Sequence, residues 1–417
     1  MTLAKRLFHT GLLLLATHAC AGGSELATYT IQQGDSLQRI AQRYLNGRDG
    51  VPALLRSNKL QERALLRPGT TLYIPRDALA FQKIKAVVTE ANCRLTGHRN
   101  GSSADFRMGE QVTEGDELSV PSGCRASLML DDGSQVRLLS AAEVRLERLR
   151  RNSLETQPEV RLKILNGKLE ADVAHREDGR ANFRVATPTA MAGVRGTLFR
   201  VGYDAQRQQS AIEVDQGLVI ATGSKTGSAS ALGADLGQTF DAHGQPGPVE
   251  HLLQPPMVWA DTTASGWISA AGVSRANSYH LRRSSDLLFA DFVEEQLPVP
   301  PRLETKALSR TAVFVESSSI SASGLQGRST VSGVCRGTTG CDVYVDGSSL
   351  QLRHFRLQSN GEGQTPRVIL DKDSFDKGAS FIVSGLPTGQ YAWQALLQVL
   401  PERSIAVTGT FTLFAVN

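Results

Sequence analysis

From Phe81 onward the apolar residues of this chain keep a period of two. The stretches "KIKAVVTEANCRLT", "ASLMLDDGSQVRLLS", "VRLKILNGKLEADV" and "AIEVDQGLVIATG" alternate apolar with polar side chains and are separated by glycine-bearing segments. Runs of this kind make half-buried strands joined by turns, and they leave no room for long helices. Asp132-Gly133 and Asn166-Gly167 each sit between two alternating runs, and both dipeptides favour tight hairpin turns. Most of the chain is therefore expected to be β, and 417 residues with 41% apolar and 21% charged composition are enough for two to four globular domains.

The N-terminal part follows other rules. Lys5 and Arg6 precede an apolar core from Leu7 to Ala16 that is too short to span a bilayer, and Ala19-Cys20-Ala21 offers a small-x-small cleavage site. Residues 1–21 are thus expected to be a signal peptide. Cys20 also allows lipidation, the less favoured reading because Thr17 and His18 do not suit a lipobox. No later segment is long and apolar enough to span a membrane as a helix, and the expected location is the periplasm or cell envelope. Removing Lys5 and Arg6 lowers the formal charge from +4 to +2. Such a near-neutral chain gains little from counterion release, so nucleic acid is not an expected partner.

Cleavage after Ala21 leaves Cys93, Cys124, Cys335 and Cys341 in an oxidising compartment. Cys335 and Cys341 flank the turn-rich "RGTTG" and could bridge, which would leave Cys93 to pair with Cys124; four buried free thiols are the alternative.

Between Tyr29 and Leu45 the period changes from two to that of a helix, across Gly34-Asp35-Ser36. A second helical face carries Val51, Leu54 and Leu55, and "LRPGTTLYIP" alternates again up to Pro75. This strand-helix-helix-strand order over residues 28–76 resembles a LysM module. The resemblance is carried by Tyr29, Ile31, Gly34, Asp35, Leu37, Ile40, Ala41, Tyr44, Leu54, Leu55, Asn58, Leu66, Pro68, Gly69, Leu72, Ile74 and Pro75, with departures at Gln38 and Lys59. It implies binding of a peptidoglycan or chitin-like glycan through N-acetylglucosamine units. The implied groove lies between the Gly34 corner and the loop from Leu60 to Leu66. Its implied residues are Gly34, Asp35, Ser36, Leu37, Asn58, Leu60, Leu65 and Leu66.

Residues 81–250 resemble a FecR-type domain. The matching positions are Glu114-Gly115-Asp116, Asp132-Gly133-Ser134, Leu165 with Gly167-Lys168, Thr187-Pro188, Gly193 to Thr197 with Phe199 and Val201, and Val214 with Gln216-Gly217. Arg195, between two glycines, is read as a structural arginine, with contact to a partner as the other reading. The family's membrane-anchored regulators add a transmembrane segment and a sigma-factor-binding region. The sequence shows neither, which weakens the regulatory reading. Thr222 to Gly237 looks like an exposed Gly/Ser/Ala loop without a phosphate-loop ending, and His243 to Pro256 looks like a linker.

Residues 255–333 and 334–417 resemble two divergent fibronectin type III-like β-sandwiches, with Tyr391 and Trp393 expected to be core on at least one side. The fold class is thus multidomain and mainly β: a βααβ LysM-like module, a FecR-type domain and two sandwiches. Scattered histidines, no His-Glu-x-x-His and no Gly-x-Ser-x-Gly argue against an enzyme, and no catalytic residue, metal site or cofactor is implied. The expected function is non-enzymatic: tethering to peptidoglycan, with β domains that serve as a scaffold for envelope proteins whose identity the sequence does not give. The alternative is a periplasmic sensor or regulator of a membrane signalling partner.

Overall fold

The computed structural model describes residues 26–47, 49–62, 64–154, 158–174, 182–194, 196–260, 267–270, 272–299, 302–304, 308–337, 340–347, 352–360, 365–373, 380–400 and 403–416. The proposed signal peptide, Cys20 and Arg195 lie outside them. The chain divides into two compact units, Met1–Ala80 and Phe81–Asn417.

In the first unit, β1 (Leu26–Thr30) pairs antiparallel with β2 (Thr71–Pro75), and between them come α1 (Leu37–Tyr44) and α2 (Gly50–Asn58). Ser36 caps α1: its backbone is extended and its hydroxyl accepts from the Arg39 N–H at 3.2 Å. Leu37, Ile40 and Ala41 then fall on one buried face, where they meet Leu54, Leu72 and Ile74 in a small core. α2 ends at Lys59, which takes a left-handed conformation (φ 53°) while its N–H turns back to the last carbonyls of the helix.

The second unit is all β. Strands from Phe81–Lys83 to Pro246–His251 close into a barrel filled by side chains, among them Val88, Leu128, Val144, Leu162, Phe199, Val201, Ile212 and Phe240. One strand, Pro158–Asp172, belongs to both walls. Its first part pairs with Glu143–Asn152 and runs parallel to Phe183–Ala186; its second part pairs with Leu198–Asp204 and Gln135–Leu138.

Three local expectations are corrected here. Asp132-Gly133 does close a hairpin, with Gly133 N–H donating to Leu130 at 3.0 Å. Asn166-Gly167 does not: it lies inside the strand Pro158–Asp172, at a register shift opposite Glu143 and Val144. A positive φ serves a bend within a strand as well as it serves a turn, and Gly167 uses its φ of 79° to pass from one wall to the other. The presumed loop Thr222 to Gly237 contains the strand Ala229–Gly233 with Leu232 buried, and the presumed linker contains the strand Pro246–His251. Small residues in the first and prolines in the second hid the alternation.

The remaining described strands form an eight-stranded sheet, a two-stranded sheet of Cys341–Val345 with Phe381–Leu386, and a three-stranded sheet. Strands from both presumed sandwich segments share the large sheet, joined by the parallel pairing of Thr330–Arg336 with Arg403–Val416. Tyr391 is buried and stacks on Phe411, whereas Trp393 is half-buried and stacks on Phe355. Both disulfides form, Cys93–Cys124 and Cys335–Cys341.

Barrel and sheet are joined by buried charge. Arg200 donates to Glu213 at 3.0 Å, to Asp215 at 2.7 Å and to the carbonyls of Gln326 and Gly327 at 3.0 and 3.2 Å. Glu213 also receives Lys168 at 3.1 Å and the Gln326 N–H at 2.8 Å. Burial alone would raise the Glu213 pKa, but Lys168 and Arg200 outweigh it and hold the carboxylate below its usual range. Glu316 likewise is pushed down to about 2, with Arg282 overcoming the cost of burial. Asp215 moves the other way, because burial raises it more than Arg200 lowers it.

A carboxylate with a depressed folded pKa stabilises the fold above its unfolded pKa, and that contribution disappears as pH falls through the folded value. For Glu316 the window runs from the ordinary glutamate value of 4.5 down to about 2. The expected result is that the urea midpoint of the Phe81–Asn417 unit drops between pH 4.5 and pH 2 and that Glu316→Gln flattens the drop. A midpoint independent of pH over that range contradicts it.

Candidate functional site

The strand-to-helix corner is held by its own side chains. Asp35 accepts from the Tyr29 hydroxyl at 2.8 Å and from the Gln32 N–H at 2.7 Å, and Arg39 donates to the Gly34 carbonyl at 2.5 Å. Gly34 has φ of 85°, with only the Arg39 guanidinium near where a Cβ would stand. The Gln32 N–H, then the Tyr29 hydroxyl, hold the Asp35 carboxyl below its ordinary range, while burial and then Asp35 push Tyr29 up to about 12. Asp35 and Ser36 thus shape the turn and cap α1, and Leu37 is buried in the core.

The concavity of the module opens beside the corner. A cleft of about 450 Å³ lies between the end of α2, the chain from Lys59 to Arg67, and β2. Of the residues expected at the site, Asn58, Leu60, Leu65 and Leu66 line it; Gly34, Asp35, Ser36 and Leu37 do not. Leu65 is 94% exposed at the rim, and Tyr73 presents a 46% exposed ring. An exposed leucine and a tyrosine face beside main-chain polar groups make a surface suited to the apolar faces and acetamido groups of sugars.

Asn58 is committed to the fold. Its amide donates to the carbonyls of Leu54 at 2.8 Å and Tyr73 at 2.7 Å, and its oxygen accepts the Tyr73 N–H at 2.7 Å. It thereby fixes the end of α2 against the outer edge of β2, forming the floor of the cleft. Asn58→Ala is expected to remove about 2 kcal/mol of local stability, so that amide exchange at Tyr73 speeds up roughly 30-fold. Unchanged exchange at Tyr73 contradicts this role.

Lining residues that the sequence did not assign to the site include Tyr73, Lys59 and Arg67. Tyr73 had a signal: in "TLYIP" it alternates with buried Leu72 and Ile74 and must therefore face outward. Among the described residues no helix is long and apolar enough to cross a membrane.

Comparison with known proteins finds two family matches within the chain. Residues 29–75 match the family model described as LysM domain, and residues 116–220 match the one described as FecR protein. No curated protein matches the chain. Among solved structures, two crystal structures of a candidate anti-sigma factor from Parabacteroides distasonis align at 21% and 22% identity with a TM-score of 0.27, each covering 32% of this chain and 59% of theirs. The chain therefore spans little more than half the length of these relatives. Dimeric latent PorU from Porphyromonas gingivalis aligns at 9% identity and a TM-score of 0.11, over 94% of this chain and 41% of its own.

Proposed function

We propose that the chain is an exported, non-enzymatic protein of the cell envelope that binds peptidoglycan through its first unit and presents its β unit to other envelope proteins. The observation that carries this is the open cleft between α2 and β2, inside the segment that matches the LysM domain. Its polar groups can hydrogen-bond a glycan, and it holds no nucleophile with a base beside it. A single module of this size binds on the order of −8 kcal/mol at micromolar affinity, and repeated sites along a glycan raise the effective concentration.

Co-sedimentation with isolated sacculi tests the tether. The full chain without residues 1–21 is expected in the pellet, and the same chain lacking residues 28–76 in the supernatant. Pelleting of both, or of neither, refutes it. Gly34→Val separates the cleft from the corner: Gly34 does not line the cleft, so a folded variant is expected to keep its affinity despite local backbone strain. Lowered affinity in a folded variant would return the corner to the site.

A second reading rests on the FecR match over residues 116–220: the barrel would contact a membrane signalling partner. In-cell crosslinking from residues 81–250 that traps a membrane receptor, with altered transcription in a deletion strain, would favour it.

A further inference from the structure

Charge is distributed unevenly along the sequence. Residues 28–76 contain eight basic and three acidic residues, a net charge of +5, against +4 for the whole chain. The small module therefore carries more net positive charge than the whole chain, and the remainder comes to −1.

The structure brings part of that charge to the cleft. Lys59 and Arg67 line it from opposite ends of the connecting chain, no aspartate or glutamate is among the lining residues, and both residues are exposed. Lys59 holds its place in a left-handed conformation, which costs a lysine about 1 kcal/mol more than an asparagine or glycine would spend there. The hydrogen bonds from Lys59 and Leu60 N–H to the last turn of α2 maintain it. Two cations at the rim of a sugar-sized cleft, on a module of net charge +5, attract an anionic ligand more strongly than a neutral one.

We propose that this cleft selects a carboxylate-bearing amino-sugar polymer, meaning glycan strands whose sugars carry acidic lactyl or peptide substituents, over neutral chitin. The proposal rests on the reading of the cleft as a glycan site and adds which glycan it takes. Lys59 and Arg67 are the specificity-determining residues: the apolar rim and main chain hold the sugar, and the two cations meet carboxylates projecting from it. Exposed pairs of this kind are individually weak and screened by salt, so the two together give about a five- to tenfold preference at low ionic strength.

The test is calorimetric titration of the full chain with three probes: chitotetraose, a peptide-bearing tetrasaccharide from peptidoglycan, and the same fragment with its carboxylates converted to amides. At 50 mM salt the acidic fragment is expected to bind about five- to tenfold more tightly than the other two, with the difference falling below about twofold at 300 mM. Lys59→Gln with Arg67→Gln is expected to bring the ratio of affinities for the acidic and amidated fragments to about one. Equal binding of the acidic and amidated fragments overturns the proposal and leaves the glycan reading intact; this comparison needs no variant to fold. Equally tight binding of polygalacturonate, an acid without amino sugars, also overturns it by showing charge attraction alone. Failure of all three probes to bind overturns the glycan reading and the proposal together.

Discussion

Arg200→Met is expected to destabilise the Phe81–Asn417 unit by about 3–5 kcal/mol, the cost of leaving buried charge without its partner. Glu213 has no exposed surface, and Arg200 supplies one of its two cations. Asp215 loses its close bidentate partner at the same time, and the carbonyls of Gln326 and Gly327 lose their donor. These groups come from both sides of the barrel-to-sheet junction, so the loss extends beyond one strand. Urea unfolding followed by barrel and sheet probes should show a single transition in the parent protein and a lowered midpoint in the variant. Combining Arg200→Met with Glu213→Met should restore part of the loss, because the orphaned carboxylate is then gone. A single variant within about 1 kcal/mol of the parent would mean that Lys168 alone suffices to neutralise Glu213.

None of these junction contacts had a signature in the sequence. Arg200, Glu213 and Asp215 occupy strands whose alternation marks them as inward or outward, but alternation cannot say that an inward charge meets another segment more than a hundred residues away. The shared sheet was hidden for a related reason. Two sandwich-like segments can be distinguished by local pattern, while the parallel contact between Thr330–Arg336 and Arg403–Val416 is a long-range pairing. In the first unit nearly everything is local: the change of period at Gly34 to Ser36, the cap on α1 and the alternation up to Pro75 all fall within fifty residues, and the order of elements was legible. The site was half legible. Leu60, Leu65 and Leu66 were reached through the loop they occupy, whereas Lys59 and Arg67 were missed because a lone cation before or after a turn ordinarily marks only a solvated surface.

The Asn166-Gly167 bend leads to the other large effect. Gly167→Val is expected to destabilise the same unit by about 3–5 kcal/mol, combining strain at a positive φ with overpacking. A Cβ built on Gly167 lies 2.6 Å from the Ala141 carbonyl oxygen and 2.6 Å from the Ala142 Cα. Both obstacles are backbone, so no side chain can swing aside, and the strand Glu143–Asn152 that follows them would have to move. That strand pairs with the residues just before the bend, while the residues just after it pair with Leu198–Asp204, so both barrel walls meet at this point. Asn166→Ala is the matched control. It removes only a 3.3 Å bond to Ala141 and a 3.3 Å bond from the Ala205 N–H, for a cost of about 1 kcal/mol. If the dipeptide were an exposed hairpin turn, both substitutions would cost about 1 kcal/mol and neither would touch the barrel core. The bend within one strand instead requires a wide gap between them in urea midpoint, with the larger loss at the glycine.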